Sequence, residues 1–149
     1  MSVALDTGVK LVRNVGRYNI GAGSLAELQP LLASRRASAR AAGQGGGVVF
    51  LVDEFFRGDA GLPGRLGLQP GDALQFVATA DEPKTDGIDA VVADLHARGL
   101  TQPAALVGLG GGITMDTAKS VSNLLTNGGR AADYQGWDLV RVPGIFKIG

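Results

Sequence analysis

Five residues, Gly108-Leu109-Gly110-Gly111-Gly112, lie between an apolar run and a helical pattern, and they are where this sequence could hold a phosphate. Glycine has no Cβ, so backbone amides at such a junction stay open to an anion, and the start of the next helix adds partial positive charge. Diphosphate is the natural guest. With no ligand, the same residues would form only a tight strand-to-helix turn. The spacing is not that of the ordinary dinucleotide fingerprint. Gly108 and Gly110 match the first two glycines of G-x-G-x-x-G, but Ile113 stands where the third belongs. No such fingerprint follows the apolar run at 48–52 either, so a different kind of dinucleotide site is required.

Three carboxylates could serve a nucleotide at that turn. Asp53 closes the run Val48-Val49-Phe50-Leu51-Val52, at the end of a strand where ligands gather in open α/β sheets. There it could accept hydrogen bonds from both adenosine ribose hydroxyls and repel a 2′-phosphate, which favours NAD over NADP. Alone, it could equally begin a loop. Glu82, after the next strand, could play a similar part, although Glu-Pro also opens turns. Asp116 lies four residues past Gly112, one helical turn on, near the expected phosphates or nicotinamide ribose. It could also simply complement the helix dipole and pair with Lys119. The single histidine, His96, falls at a helix end beside Arg98 and reads as a helix-terminal cation rather than a catalyst. With one histidine and no cysteine, a cysteine nucleophile and a histidine-rich metal site are excluded within these 149 residues. No catalytic side chain is assigned.

The elements that must position these groups follow from periodicity. Residues 9–20 alternate loosely and predict a strand or hairpin arm. Ser24 with Glu27 predicts a capping box for a helix carrying Leu25, Leu28, Leu31 and Leu32, kinked or restarted at Pro30. Arg35, Arg36 and Arg40 at its far end read as a solvated cationic face. The unbroken apolar run 48–52 predicts a strand covered on both faces, as in a parallel sheet. Residues 57–72 read as loop, and 73–80 as a second strand. Thr85 is the predicted N-cap of a helix with Ile88, Val91, Val92 and Leu95 on one face, stopped by Gly99. A third strand, 104–109, leads into the glycine turn and a helix running to Asn127-Gly128-Gly129. The order strand, helix, strand, helix predicts an α/β domain with a mainly parallel sheet, Rossmann-like in its layering.

Bulk properties narrow the partners. Fourteen basic and fourteen acidic side chains cancel, leaving no electrostatic footprint for nucleic acid or anionic membrane. Hydrophobic residues at 45% and charged residues at 19% suit a soluble globular domain. Twenty-four glycines, roughly twice the usual share, demand many tight turns or close approaches. Asp6, Lys10, Arg13 and Arg17 break up the first twenty residues, so no signal-peptide core is read there. No apolar run approaches the roughly 18 residues of a membrane span. The expected compartment is the cytoplasm.

The run Gly110-Gly111-Gly112-Ile113-Thr114-Met115-Asp116-Thr117-Ala118-Lys119 resembles the G-G-G-S-x-x-D-x-A-K motif of the iron-containing (group III) alcohol dehydrogenases, relatives of glycerol dehydrogenase and dehydroquinate synthase. Gly21-Ala22-Gly23-Ser24-Leu25, Val52-Asp53 and Glu82-Pro83 (where that family often has Asn-Pro) support the resemblance. Ile113 departs from the family serine, which removes a hydroxyl contact and leaves the backbone donors. A narrower likeness, over Ser122–Gly129 and Asp133–Val140, is to the branch that oxidises the C8 hydroxyl of 3-deoxy-D-manno-octulosonate (Kdo) for lipopolysaccharide sugar biosynthesis.

The resemblance implies a dehydroquinate synthase-like, Rossmann-type N-terminal domain over residues 1–149, followed in the intact protein by an all-helical domain. That second domain would supply one Asp and three His to a divalent metal, Fe or Zn, whose ligands are not in this sequence. It further implies NAD as cofactor, a small-molecule alcohol or sugar-acid substrate, and a homo-oligomer when intact. The cofactor contacts it assigns are Asp53, Glu82, Gly110, Gly111, Gly112, Ile113 and Asp116. Residues 1–149 are expected to be inactive alone. A dehydroquinate synthase-like or glycerol dehydrogenase-like enzyme and a stand-alone nucleotide-binding module are the alternatives.

Overall fold

The computed structural model describes residues 15–149. The first half of the strand predicted over 9–20 lies outside that range, as do Asp6, Lys10 and Arg13; its described half, 15–20, forms no strand. Among the described residues, four strands build one sheet: β1 (Val48–Asp53), β2 (Ala73–Val77), β3 (Ala105–Leu109) and β4 (Lys147–Ile148). Their order is β2-β1-β3-β4, and every neighbouring pair is parallel. Four α-helices accompany them: α1 (Leu28–Ala41), the short α2 (Leu62–Leu66), α3 (Thr85–Ala97) and α4 (Gly112–Asn127).

The unbroken apolar run of β1 is explained by two-sided burial. Val48, Phe50 and Val52 point to one face, where they meet Leu28 and Leu32 of α1 and Leu62 and Leu66 of α2. Val49 and Leu51 point to the other, against Ile88, Val92 and Leu95 of α3 and Ala118, Val121 and Leu124 of α4. Residues 48–52 of β1 are all fully buried, and each such side chain contributes about 1.5–3 kcal/mol on leaving water. A polar residue at 48–52 would therefore unseat one helix layer or the other.

This layering fixes where a ligand can bind. The chain leaves β1 toward the α1/α2 face and leaves the adjacent β3 toward the α3/α4 face. Two neighbouring strands whose connections depart on opposite faces leave a crevice between their carboxyl ends, the topological switch point of an open parallel sheet. Here that crevice lies between Asp53 and Gly110.

At the opposite end of the sheet a buried ion pair ties α1 to β2. The Arg36 guanidinium donates two bonds, of 2.7 and 2.6 Å, to the Asp72 carboxylate and a third, of 2.7 Å, to the Gly46 carbonyl. Asp72 also accepts from the amides of Val48 and Gln69. The two side chains are 5% and 1% exposed. This corrects the reading of all three arginines as a solvated face: Arg36 falls on the buried side of α1 with Leu28, Leu32 and Ala39, and Arg35 lies 3.4 Å over the Phe146 ring.

Other expectations shift locally. The Ser24–Glu27 capping box does not form, because Ser24 is already inside a 3-10 turn (Ser24–Glu27) capped by Gly23, and the Glu27 carboxylate pairs with Arg17. Pro30 sits in the first turn of α1, where its missing N–H is harmless. Residues 57–72 include α2. β2 ends at Val77 because its last partner, Asp53, is where β1 turns away. Lys84, in an extended conformation, takes the N-cap place expected for Thr85. Gly99, with φ +74, ends α3 as expected. The fourth strand was not anticipated. Among the described residues, no helix is long and apolar enough to cross a membrane.

Candidate functional site

The glycine turn separates into residues with distinct duties. Gly108 belongs to β3 itself and is buried; a Cβ there would come 3.1 Å from the Ala118 Cβ, so its absence lets α4 seat closely on the strand. Gly110 has φ +155, and a Cβ would lie 2.7 Å from Thr114 Oγ1 and 2.8 Å from the Asp53 Cβ. The ends of β1 and α4 thus close on Gly110 from two sides. Gly111 and Gly112 differ from both, because a Cβ on either would meet nothing within 4 Å.

Gly111 is the N-cap of α4, with no side-chain cap, and Gly112 is its first residue. The first bond of the helix ladder runs from the Met115 amide to the Gly111 carbonyl, 3.1 Å. The preceding first-turn amides, Gly112, Ile113 and Thr114, have no intrahelical acceptor. Uncapped amides, a helix N-terminus and open space over two glycines make a cradle that a side chain would fill, and a phosphate group fits it. Ile113 is half-buried and contributes only backbone here. Thr114 is fully buried, and its hydroxyl, against Gly110, has no hydrogen-bond partner among the described residues.

Asp53 forms the β1 wall of the crevice. Its Oδ1 accepts from the Phe55 amide, 2.9 Å, capping a 3-10 turn over Glu54–Gly58, and from the Thr79 hydroxyl, 3.1 Å. Both bonds fall on one oxygen, and Oδ2 accepts none among the described residues. An ionised carboxylate held this way presents its second oxygen as an acceptor to a hydroxylated ligand. Thr79 was not singled out by the sequence. It lies two residues past Val77, which pairs with Asp53, so only the strand register reveals it.

The sheet therefore gathers Asp53, Thr79, Gly110, Gly111, Gly112, Ile113 and Thr114 at one crevice. It does not draw Glu82 into the same network. Glu82 is exposed on the loop beyond β2, and no hydrogen bond or ion pair joins it to another described residue. Its expected place at the end of the strand is vacated because β2 stops at Val77. Asp116 lies one turn into α4, exposed, bonded 2.8 Å to Lys119, the pairing expected from their spacing. His96 is exposed in the last turn of α3.

The crevice is an open groove. A cavity of about 310 Å³ lies elsewhere, at the amino ends of the strands, between Arg35, Ala39, Pro103, Thr126 and Phe146. A shallow depression of about 490 Å³ follows residues 17–24 and Glu27. Neither includes Asp53 or the glycine turn. Among the described residues, no group of three or more His, Cys, Asp or Glu could hold a metal ion, so these residues do not fit the divalent metal.

Residues 16–147 match the family model described as iron-containing alcohol dehydrogenase. Among solved structures, the chain is similar to sulfoacetaldehyde reductase from Bifidobacterium kashiwanohense in complex with NAD+, at 24% identity and a TM-score of 0.50. The alignment covers 78% of this chain and 28% of that one. At that identity the likeness bears on the fold, and this chain spans little more than a quarter of the reductase's length.

Proposed function

This chain belongs to the iron-containing alcohol dehydrogenase family, and from that premise we propose that it is the cofactor-holding part of an NAD-dependent alcohol dehydrogenase. The observation that carries the proposal is the crevice itself, with uncapped α4 amides on one side and the free Oδ2 of Asp53 on the other. In this reading the amides of Gly111, Gly112 and Ile113 hold the diphosphate beside Gly110. Asp53, oriented by Thr79, takes the adenosine ribose hydroxyls, and Asp116 lies toward the nicotinamide half. Glu82 is assigned the rim on the adenosine side. The NAD+ named with the similar reductase agrees with this.

Bound there, NAD supplies the hydride acceptor for oxidation of an alcohol to an aldehyde. The work of this chain's own residues is positional. Backbone donors fix the diphosphate without a reorganising side chain, and a carboxylate at the ribose rejects a 2′-phosphate by charge. The groups that act on the substrate, and the metal ligands, are assigned to a helical domain of the whole enzyme. The finer substrate reading is the C8 hydroxyl of Kdo, in the cytoplasm and in a homo-oligomer. It is supported by the likeness of Ser122–Gly129 and Asp133–Val140 to that branch. Faster NADH formation on Kdo than on glycerol by the metal-loaded whole enzyme is the expected result; the reverse preference removes this substrate.

The cofactor reading is tested by calorimetry with NAD and NADP on the wild type and on Asp53→Gly. The wild type is expected to bind NAD in preference to NADP. Losing a charge-assisted contact of about 1.5–3 kcal/mol should weaken NAD roughly ten- to a hundredfold and relax the discrimination. An unchanged preference would remove Asp53 from the ribose.

A further inference from the structure

Directly after Asp53 the chain presents an aromatic side chain that the core does not use. Phe55 is 84% exposed, while its neighbour Phe56 is half-buried and packs on the α1/α2 face. The two rings meet edge to face, 5.2 Å between centroids at 88°. Phe76, near the end of β2, is already covered by the Arg57 guanidinium at 4.6 Å. Phe55 has no such cover, and its ring contact among the described residues is Phe56 alone.

The placement of Phe55 is fixed from both sides. Its amide donates to Asp53 Oδ1, so its backbone is tied to the carboxylate that walls the crevice. Its ring is braced by Phe56, which is itself anchored in the core. A phenylalanine held in water is unfavourable, because aromatic rings gain most of their worth from burial. Here the ring sits within a residue's reach of the group assigned to a ribose. In a nucleotide the base is joined to that same ribose, so a base beside the Asp53 hydroxyl contacts comes within reach of this part of the rim.

Resting on the NAD reading above, we propose that Phe55 is the stacking platform for the adenine base, and so a binding residue of the adenosine half of the site. Stacking is tolerant of base identity, since every base has a π-face; the ring therefore adds affinity, and Asp53 adds the choice between NAD and NADP.

The test compares wild type, Phe55→Ala and Phe55→Trp with three probes: NAD, ADP and inorganic pyrophosphate, which shares the diphosphate but carries no base. Because Phe55 is exposed, Phe55→Ala should keep the wild-type circular dichroism and unfolding midpoint. Loss of one stacked base should weaken ADP and NAD roughly tenfold and leave pyrophosphate unchanged, with Phe55→Trp restoring ADP affinity. Equal ADP affinity in wild type and Phe55→Ala overturns the stacking role and leaves the NAD site standing. Equal losses for ADP and pyrophosphate also overturn it, because the ring would then be shaping the turn. A wild type that binds neither NAD nor ADP overturns the site and the platform together.

Discussion

The two ends of this sheet treat polar groups in opposite ways. At the amino ends, Arg36 and Asp72 are buried, and five hydrogen bonds join them to each other, to the Gly46 carbonyl and to the Val48 and Gln69 amides. At the carboxyl ends, the Asp53 carboxylate uses one oxygen, the first amides of α4 have no cap, and the Thr114 hydroxyl has no partner. A buried polar group left unsatisfied costs about 1–3 kcal/mol, so a fold tolerates such groups where a ligand can complete them. The amino end holds the sheet together; on the reading proposed above, the carboxyl end is left open for a guest.

The comparison predicts that substitutions at the first end destabilise without touching the ligand, and that those at the second do the reverse. The largest effect is expected from Asp72→Ala, which strands a buried guanidinium and two amides. Breaking a buried pair costs about 3–5 kcal/mol, read as a lower urea midpoint, with NAD affinity per folded molecule unchanged. The same group sets a pH dependence. Burial pushes the Asp72 carboxyl up, but the Arg36 guanidinium and the Gln69 and Val48 amides outweigh it and hold it below the usual carboxylate range. Its contribution to stability is therefore complete above the ordinary carboxylate pKa and is lost as pH falls through the lowered one. Acid titrations of wild type and Asp72→Asn should differ in that acid limb; superimposable limbs would remove the pair from the account.

Gly110→Ala should have an intermediate effect on stability. The new methyl enters a space 2.7 Å from Thr114 Oγ1, at a φ that L residues rarely adopt. The strain and overpacking should amount to about 1–3 kcal/mol in thermal unfolding, with weakened NAD binding because the two walls of the crevice are forced apart. If the variant is as stable as wild type, the closeness of β1 and α4 at this point is not what requires glycine.

The sequence carried the parts of this molecule that repeat. β1 was legible because burial on both faces removes polar residues from the run 48–52, and α3 because its apolar face recurs at helical spacing. The strand-to-helix turn was legible because consecutive glycines before a helical pattern mark a tight junction, although Gly108 proved to be a strand residue packed under α4. What escaped was long-range pairing. Arg36 looked like any cation on a helix until α1 was laid against Asp72, 36 residues away. Thr79 became a partner of Asp53 only through the register of β1 with β2. The end of β2 at Val77, ahead of Glu82, also escaped, because the sequence could not tell that β2 stops where β1 turns.

Gly111→Val is the sharpest probe of the proposed diphosphate cradle, because position 111 faces open space and has an ordinary extended backbone, φ −79 and ψ −170. Calorimetric titration with NAD, alongside the unfolding midpoint of the same sample, separates binding from folding. The variant should lose no more than about 1 kcal/mol of stability, the cost of a poorer N-cap, and at least roughly tenfold in NAD affinity, since the side chain occupies the diphosphate cradle. A Gly111→Val protein that folds normally and binds NAD as tightly as wild type would contradict it.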